Sequence, residues 1–334
     1  MPARGMAFVL GVALVVGACS DDSSNPFASV AASRPPSAGA SILFLSSSWD
    51  TKPGPREILA IDLAGGTPER LTACATATTP CDFGLIGPSP DRNRLAAIRT
   101  NVGAEAGATA LYFMDLSRSV EQMLVATKRV GWVDWSPDNA FLLYTVKDAG
   151  SREDLYYNYP NGSSEQNLTS STDVSERAPR VDPGATTAAF ERIDATGVPR
   201  IYIYQAIPVT TGDVVGANLP GTPYFVGSDA EPAWSPDGTR LVFRRLTGIG
   251  NGGLGTWDIL TIKTDGTELR TTATGAAFRG APDWGDAGIL FVETDTAAGE
   301  SRLVLVQPDG SGRKVLRTEP SSFGMTGPRF LYGQ

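Results

Sequence analysis

Three short stretches carry the side chains best suited to chemistry. They read Ser-Glu-Arg-Ala-Pro at 175–179, Ser-Asp-Ala-Glu-Pro at 228–232 and Phe-Arg-Gly-Ala-Pro at 278–282, and they supply Arg177, Asp229, Glu231 and Arg279. Each stands just ahead of the same kind of apolar segment, so a regular fold would bring them to equivalent places. With Trp132 alongside, they predict a mixed-charge mouth able to hold a small ligand, a glycan or a peptide end. The plainer alternative is loop charge facing water. Asp229 and Glu231 are the one carboxylate pair that could do acid–base work on a glycan or peptide.

Composition narrows the chemistry further. The 334 residues contain no histidine, which removes Ser-His-Asp and Cys-His catalysis and every histidine-based metal site. A net charge of −8 without a basic run argues against nucleic acid as a partner. "GIGNGGLG" at 248–255 contains Gly-x-Gly-x-x-Gly, but an apolar β-type run follows it where a phosphate-binding helix would have to start. It reads as a loop. "NGSS" (161–164) and "NLTS" (167–170) match the glycosylation acceptor pattern and read more simply as a turn and a strand. The Pro-Asp-Gly turns hold too few carboxylates for a calcium loop. No cofactor, no metal and no catalytic residue is expected.

The elements that must position those side chains are repeats. "PAWSPDGTRLVF" (232–243), "VDWSPDNAFLLY" (133–144) and "PRVDPGATTAAF" (179–190) share one frame, and "IGPSPDRNRLAA" (86–97) and "PDWGDAGILF" (282–291) keep parts of it. A second sentence alternates with the first: "EILAIDLAGG" (57–66), "ALYFMDL" (110–116), "DLYYNYPNG" (154–162), "RIYIYQ" (200–205), "DILTIKTDG" (258–266) and "RLVLVQPDG" (302–310). Apolar β-formers running into Asp-Gly or Asn-Gly are strands entering tight turns. A period of about 40–50 residues with four strands per unit is the mark of a β-propeller, an all-β ring of antiparallel sheets.

Six blades result. Five have their own first strand, and "PRFLY" (328–332) is expected to join "ILFLS" (42–46), "EILAI" and "ERLT" as the sixth, so that the termini close the ring. In each blade the first strand would lead through Pro-Asp-Gly into the second, with the Trp before the turn wedged between sheets. With both sets of turns on one face, the longer loops 46–57, 73–86, 169–178, 245–256 and 272–281 would form the other, and binding is expected there. The Pro-x-Trp-Ser-Pro-Asp-Gly frame at 232–238 and Trp-Ser-Pro-Asp at 135–138 resemble the repeats of TolB-type propellers over 42–332. That resemblance implies the six-bladed fold. It does not carry TolB's partners, because the α/β domain that precedes the propeller in TolB has no counterpart here. Related propeller lyases use histidine-bound metals, and propeller peptidases keep their serine chemistry in an added domain; neither has a match in this chain.

The front of the chain reads as an address. Arg4, an apolar run from Ala7 to Val16 and then Val16-Gly17-Ala18-Cys19 resemble a lipoprotein signal, in which Cys19 is lipidated; the alternative is an ordinary signal peptide that happens to meet a cysteine. The resemblance implies that Ser20, in place of an inner-membrane Asp, sorts the protein to the outer membrane, facing the periplasm. The expected division is a signal peptide over 1–18, lipidated Cys19 and a disordered tether over 19–40, and the propeller over 41–334. Cys74 and Cys81 could close a small disulfide loop in that oxidising compartment, the alternative being two free thiols. The function expected is a monomeric, non-catalytic scaffold for an envelope protein, small ligand or glycan, touching the membrane through its lipid alone; the alternatives are a carboxylate-based enzyme and a purely architectural lipoprotein.

Overall fold

The computed structural model describes residues 30–47, 54–74, 82–100, 109–118, 120–125, 129–150, 152–205, 217–218, 228–249, 255–275 and 277–331. Within them lie six four-stranded antiparallel sheets arranged as a propeller. We name the strands A to D from the axis outward. Blade 1 is Asp82–Pro88, Arg94–Thr100, Thr109–Asp115 and Val120–Val125, and blade 2 is Arg129–Trp135, Leu142–Lys147, Glu153–Asn158 and Gln166–Asn167. Blade 3 is Ser175–Val181, Thr187–Ile193, Pro199–Gln205 and Ala217–Asn218; blade 4 is Asp229–Trp234, Arg240–Ile249, Gly255–Lys263 and Arg270–Ala273. Blade 5 is Phe278–Gly285, Gly288–Asp295, Glu300–Val306 and Lys314–Pro320. Blade 6 joins Thr326–Phe330 to Ile42–Ser46, Glu57–Ile61 and Glu69–Arg70, with Ile42 opposite Phe330. The ring is closed by pairing the two ends of the chain.

Among the described residues there is no single core. Six apolar clusters fill the six gaps between neighbouring blades, because each sheet has two apolar faces and can bury them only against its neighbours. Trp135 packs among Ala96, Ile98 and Leu111 of blade 1, and Trp234 against Ala189 and Ile201 of blade 3. The tryptophans are wedges, as their place in the frame suggests.

The repeated frame has a local cause at each end. At the A–B turn, Ser235 Oγ accepts the N–H of Arg240 at 2.9 Å and donates to Asp237 at 2.6 Å. Ser136 and Ser89 do the same for Phe141 and Arg94, and in blade 3 Asp182 takes the serine's place by accepting the N–H of Thr187. The side chain thus satisfies a strand-B donor that the reversal would leave open. At the other end, every A strand carries a bulge. The register slips at 131–132, 178–179, 231–232, 281–282 and 327–328, and at Gly84 in blade 1. In four of the six the bulge is a left-handed residue followed by proline: Ala178 (φ +48°), Glu231 (+54°), Ala281 (+50°) and Gly327 (+57°). Proline fits there because it brings no N–H to be left unpaired.

One segment departs from the expected tether. Val30–Ser33 pairs with Thr72–Cys74, Arg34 N–H donates to Leu71 O, and Arg34 pairs with Glu69 at 3.0 Å. Backbone donors past the short D strand of blade 6 recruit this stretch as an added edge. Cys19 and Cys81 lie outside the described residues, and Cys74 is described only as strand backbone.

The left-handed bulge gives a test. Ala281→Gly should leave the urea midpoint within about 1 kcal/mol of the parent, because relief of the left-handed strain offsets glycine's entropy. Ala189→Gly, in a regular buried B strand, should cost at least about 1 kcal/mol. Equal losses at the two sites would show that the bulge is unstrained.

Candidate functional site

One position of the repeated frame faces the axis in every blade, and in blades 3 to 6 it is the residue after the bulge proline. In ring order these positions are Gly87, Asp134, Arg180, Ala233, Asp283 and Arg329, so a small residue, an aspartate and an arginine occur twice around the ring. The four charged groups meet across the channel. Arg180 donates from Nη2 to Asp283 Oδ1 and stands 3.6 Å from Asp134 through Nε. Arg329 donates from Nη2 to Asp134 Oδ1 and stands 3.9 Å from Asp283 through Nε. The remaining carboxylate oxygens accept backbone donors of the next blade: Val181 N–H to Asp134 Oδ2 at 2.8 Å, and Phe330 N–H to Asp283 Oδ2 at 2.7 Å. Burial alone would raise the Asp283 carboxyl, but the Arg180 and Arg329 guanidiniums outweigh it and hold the group below the usual aspartate range.

This quartet divides the channel. On the side of the A–B turns opens a funnel of about 320 Å³, and the quartet forms its floor. Trp234, Trp284 and Phe330 from blades 4, 5 and 6 make one wall, and Pro137, Val181 and Pro183 from blades 2 and 3 make the facing wall. Trp234 is held by its own hydrogen bond, Nε1–H to Arg180 O at 2.8 Å. On the other side the bulges form a throat of about 40 Å³ lined by Trp132, Glu231 and the prolines 179, 232, 282 and 328. It has room for a few waters and no more.

The residues singled out in the sequence lie on the throat side, and most are committed to structure. Asp229 is buried and bidentate with Arg245, at 2.6 and 2.8 Å. Arg279 is buried and saturated, giving hydrogen bonds to Glu293, Trp257 O, Gly275 O and Thr274 O. Arg177 is half exposed and 3.9 Å from Glu153. Trp132 borders the throat, its N–H bonded to Thr145 Oγ1. Glu231 joins three blades: its N–H donates to Glu191 at 2.7 Å, its Oε2 accepts the Ala281 N–H, and Arg244 pairs with it at 2.9 Å. Asp229 and Glu231 therefore face different arginines. Among the described residues no group of three or more acidic, cysteine or histidine side chains could hold a metal ion.

Sequence reading did not find the quartet. Its signal was nonetheless present, as an Asp or Arg at the same place of the frame in Val133-Asp134-Trp135, Pro179-Arg180-Val181, Pro282-Asp283-Trp284 and Pro328-Arg329-Phe330.

No protein-family model matches the chain, and no curated protein does. Solved structures do. TolB from Acinetobacter baumannii superposes with a TM-score of 0.67 at 16% identity, covering 88% of this chain and 67% of that one. The chain has the TolB-type six-bladed propeller fold. A protein described as TolB from Agrobacterium tumefaciens gives 0.58 at 16% identity, with 87% and 98% covered. The periplasmic gluconolactonase of Pseudomonas aeruginosa gives 0.52 at 11%, with 87% and 99% covered. At such identities the likeness is one of fold.

Two outcomes test the electrostatics. Arg329→Met should cost about 3–5 kcal/mol, since it strips a buried carboxylate of its main partner, and adding Asp134→Asn should recover part of the loss. Strictly additive losses would show that the pair is uncoupled. The second concerns Glu191, which burial first and the Glu231 carboxylate second push up to about 7. A raised acid keeps its proton in the folded state while the unfolded chain has lost it. Parent stability should therefore fall, relative to Glu191→Gln, as pH rises from about 4.5 to 7, by at most about 3 kcal/mol, and level off above. A flat difference in melts across that range would contradict the assignment.

Proposed function

We propose that this chain is a non-catalytic binding module of the bacterial cell envelope that uses the funnel on the A–B turn side. One observation carries the reading. The channel floor holds two carboxylates and two guanidiniums, and each carboxylate is already paired with an arginine and a backbone N–H. Such a floor offers shape and polarity but no unengaged acid or base, whereas a carboxylate hydrolase needs two carboxyls working across a substrate. The gluconolactonase shows that a related ring can carry catalysis, so the fold does not decide the matter. The disposition of the floor charges favours binding.

The rest follows the sequence. Lipid on Cys19 would hold the protein at the outer membrane with the propeller in the periplasm, as a monomer. The partner would be an envelope protein or a small ligand, and the net charge of −8 disfavours nucleic acid. Arg177 and Trp132 remain the contacts the opposite mouth would use if that face bound instead.

The test is photo-cross-linking in living cells. A benzoylphenylalanine at Pro236 or Ala287, on the funnel rim, should give one discrete adduct that the same probe at Arg177 or Thr247, on the other face, does not. Adducts confined to the second pair would move the site to the throat side. Turnover of a defined glycan or lactone, lost in Asp283→Asn, would replace the binding reading with an enzyme.

A further inference from the structure

We infer that the funnel takes a small uncharged molecule built on a flat ring and carrying one hydrogen-bond acceptor, such as a hydroxyl or an amide. This rests on the funnel being the binding face.

The shape comes from the walls. The aromatic position of the frame is filled on three successive blades, by Trp234, Trp284 and Phe330, and the facing wall is proline and valine. Trp284 and Phe330 are only half buried although the sheets beneath them are closed. The Phe330 ring lies flat over the Gly285 backbone, where a Cβ would meet ring carbons at 2.8 Å, so its position is fixed from behind. Two opposed apolar walls, one of them aromatic, make a slot that suits a planar guest. The 320 Å³ volume holds a bicyclic ring and excludes a folded chain segment.

The charge preference comes from the floor. The four groups sum to zero and each is committed to the others. An ion entering the slot would lose its water and find no counter-charge unless it displaced a buried partner, which is costly. A neutral acceptor escapes that cost. Arg180 presents the donor, since its side chain keeps 17% of its exposure while Asp134, Asp283 and Arg329 keep 1, 6 and 9%. Its Nε stands 3.6 Å from Asp134, too far for a hydrogen bond. Arg180 is therefore the least buried member of a floor that lines the funnel, and its two carboxylates are the most deeply buried.

The experiment uses three probes of one shape: naphthamide, naphthoate and naphthylmethylammonium, titrated into the full-length protein with tryptophan fluorescence and calorimetry. The amide should bind, and each ion should bind at least about tenfold more weakly. Ala287→Trp, which fills the slot without touching the floor, should abolish amide binding at an unchanged melting temperature. Asp134→Asn, leaving the floor with a net positive charge, should shift preference toward naphthoate; if that variant does not fold, Asp283→Asn makes the same test. Naphthoate binding the parent as tightly as the amide would overturn the proposal, as would amide binding that survives Ala287→Trp. The two readings fail separately. A rim adduct in cells with no probe bound sinks the ligand class alone, and probe binding without a rim adduct sinks the cellular binding role alone.

Discussion

Six wedge-shaped sheets around an axis leave a hole, and the hole is the problem this fold has to solve. Each A strand pairs on one side only, so its inner edge turns backbone N–H groups toward the channel, where unpaired donors are costly. Here two of those donors, from Val181 and Phe330, are taken by aspartates of the preceding blades, and arginines reaching across the axis neutralise the aspartates. The two small positions follow from that arrangement. At Gly87 even a methyl group would stand 3.3 Å from the Asp134 backbone, and Ala233 is the small residue opposite it in ring order. Buried ion pairs add little net stability compared with apolar packing, but they penalise any arrangement that separates them. The quartet therefore fixes the registry of blades 2, 3, 5 and 6. Arg329 lies on the C-terminal strand, so ring closure and channel closure are one event.

The bulges make this geometry reachable. A regular A strand would keep the alternation of its pleat to the end, whereas one extra residue re-aims the strand beyond it. The left-handed residue and the proline place the next side chain on the axis and the following aromatic between blades. Glu231 shows how far the bulge serves assembly: its backbone bonds one neighbouring blade and its carboxylate the other. Burial first, and the acid at that position second, push the Glu191 carboxyl up to about 7. The charges on the throat side are thus read best as mortar between blades.

Much of the fold was legible in the sequence because its determinants are local. Ser-Pro-Asp-Gly caps a turn within six residues, a tryptophan two places before the proline fills a gap of fixed width, and strand C runs apolar because both its faces are covered. These constraints recur, whole or in part, along the chain, so the repeat exposes them. The ring closure was legible too, from a frame that begins at Pro328 and finds its other three strands near the start of the chain. The site was less legible for the opposite reason. Asp134 and Arg329 are separated by most of the chain, and only the ring brings them together. Arg177, Asp229, Glu231 and Arg279 drew attention as charges beside a repeated corner, but sequence does not show that Arg245 and Glu293 wait on the adjoining strands. Nor does it show that 30–33 would find an edge to pair with.

A charge seen in a sequence has two fates, to meet a ligand or to meet its complement, and the fold decides between them. In this propeller the complements win on both faces, and the consequences differ. On the throat side, pairing leaves a passage too narrow for anything but water, so the charges there act on the structure. On the funnel side, pairing happens at the bottom of a cavity whose walls are aromatic and proline-rich, so neutralisation itself becomes a property that a guest would meet. A floor that is polar, preorganised and uncharged discriminates against ions without any group dedicated to that purpose. The same four residues that hold the ring in register would therefore set what the ring can bind.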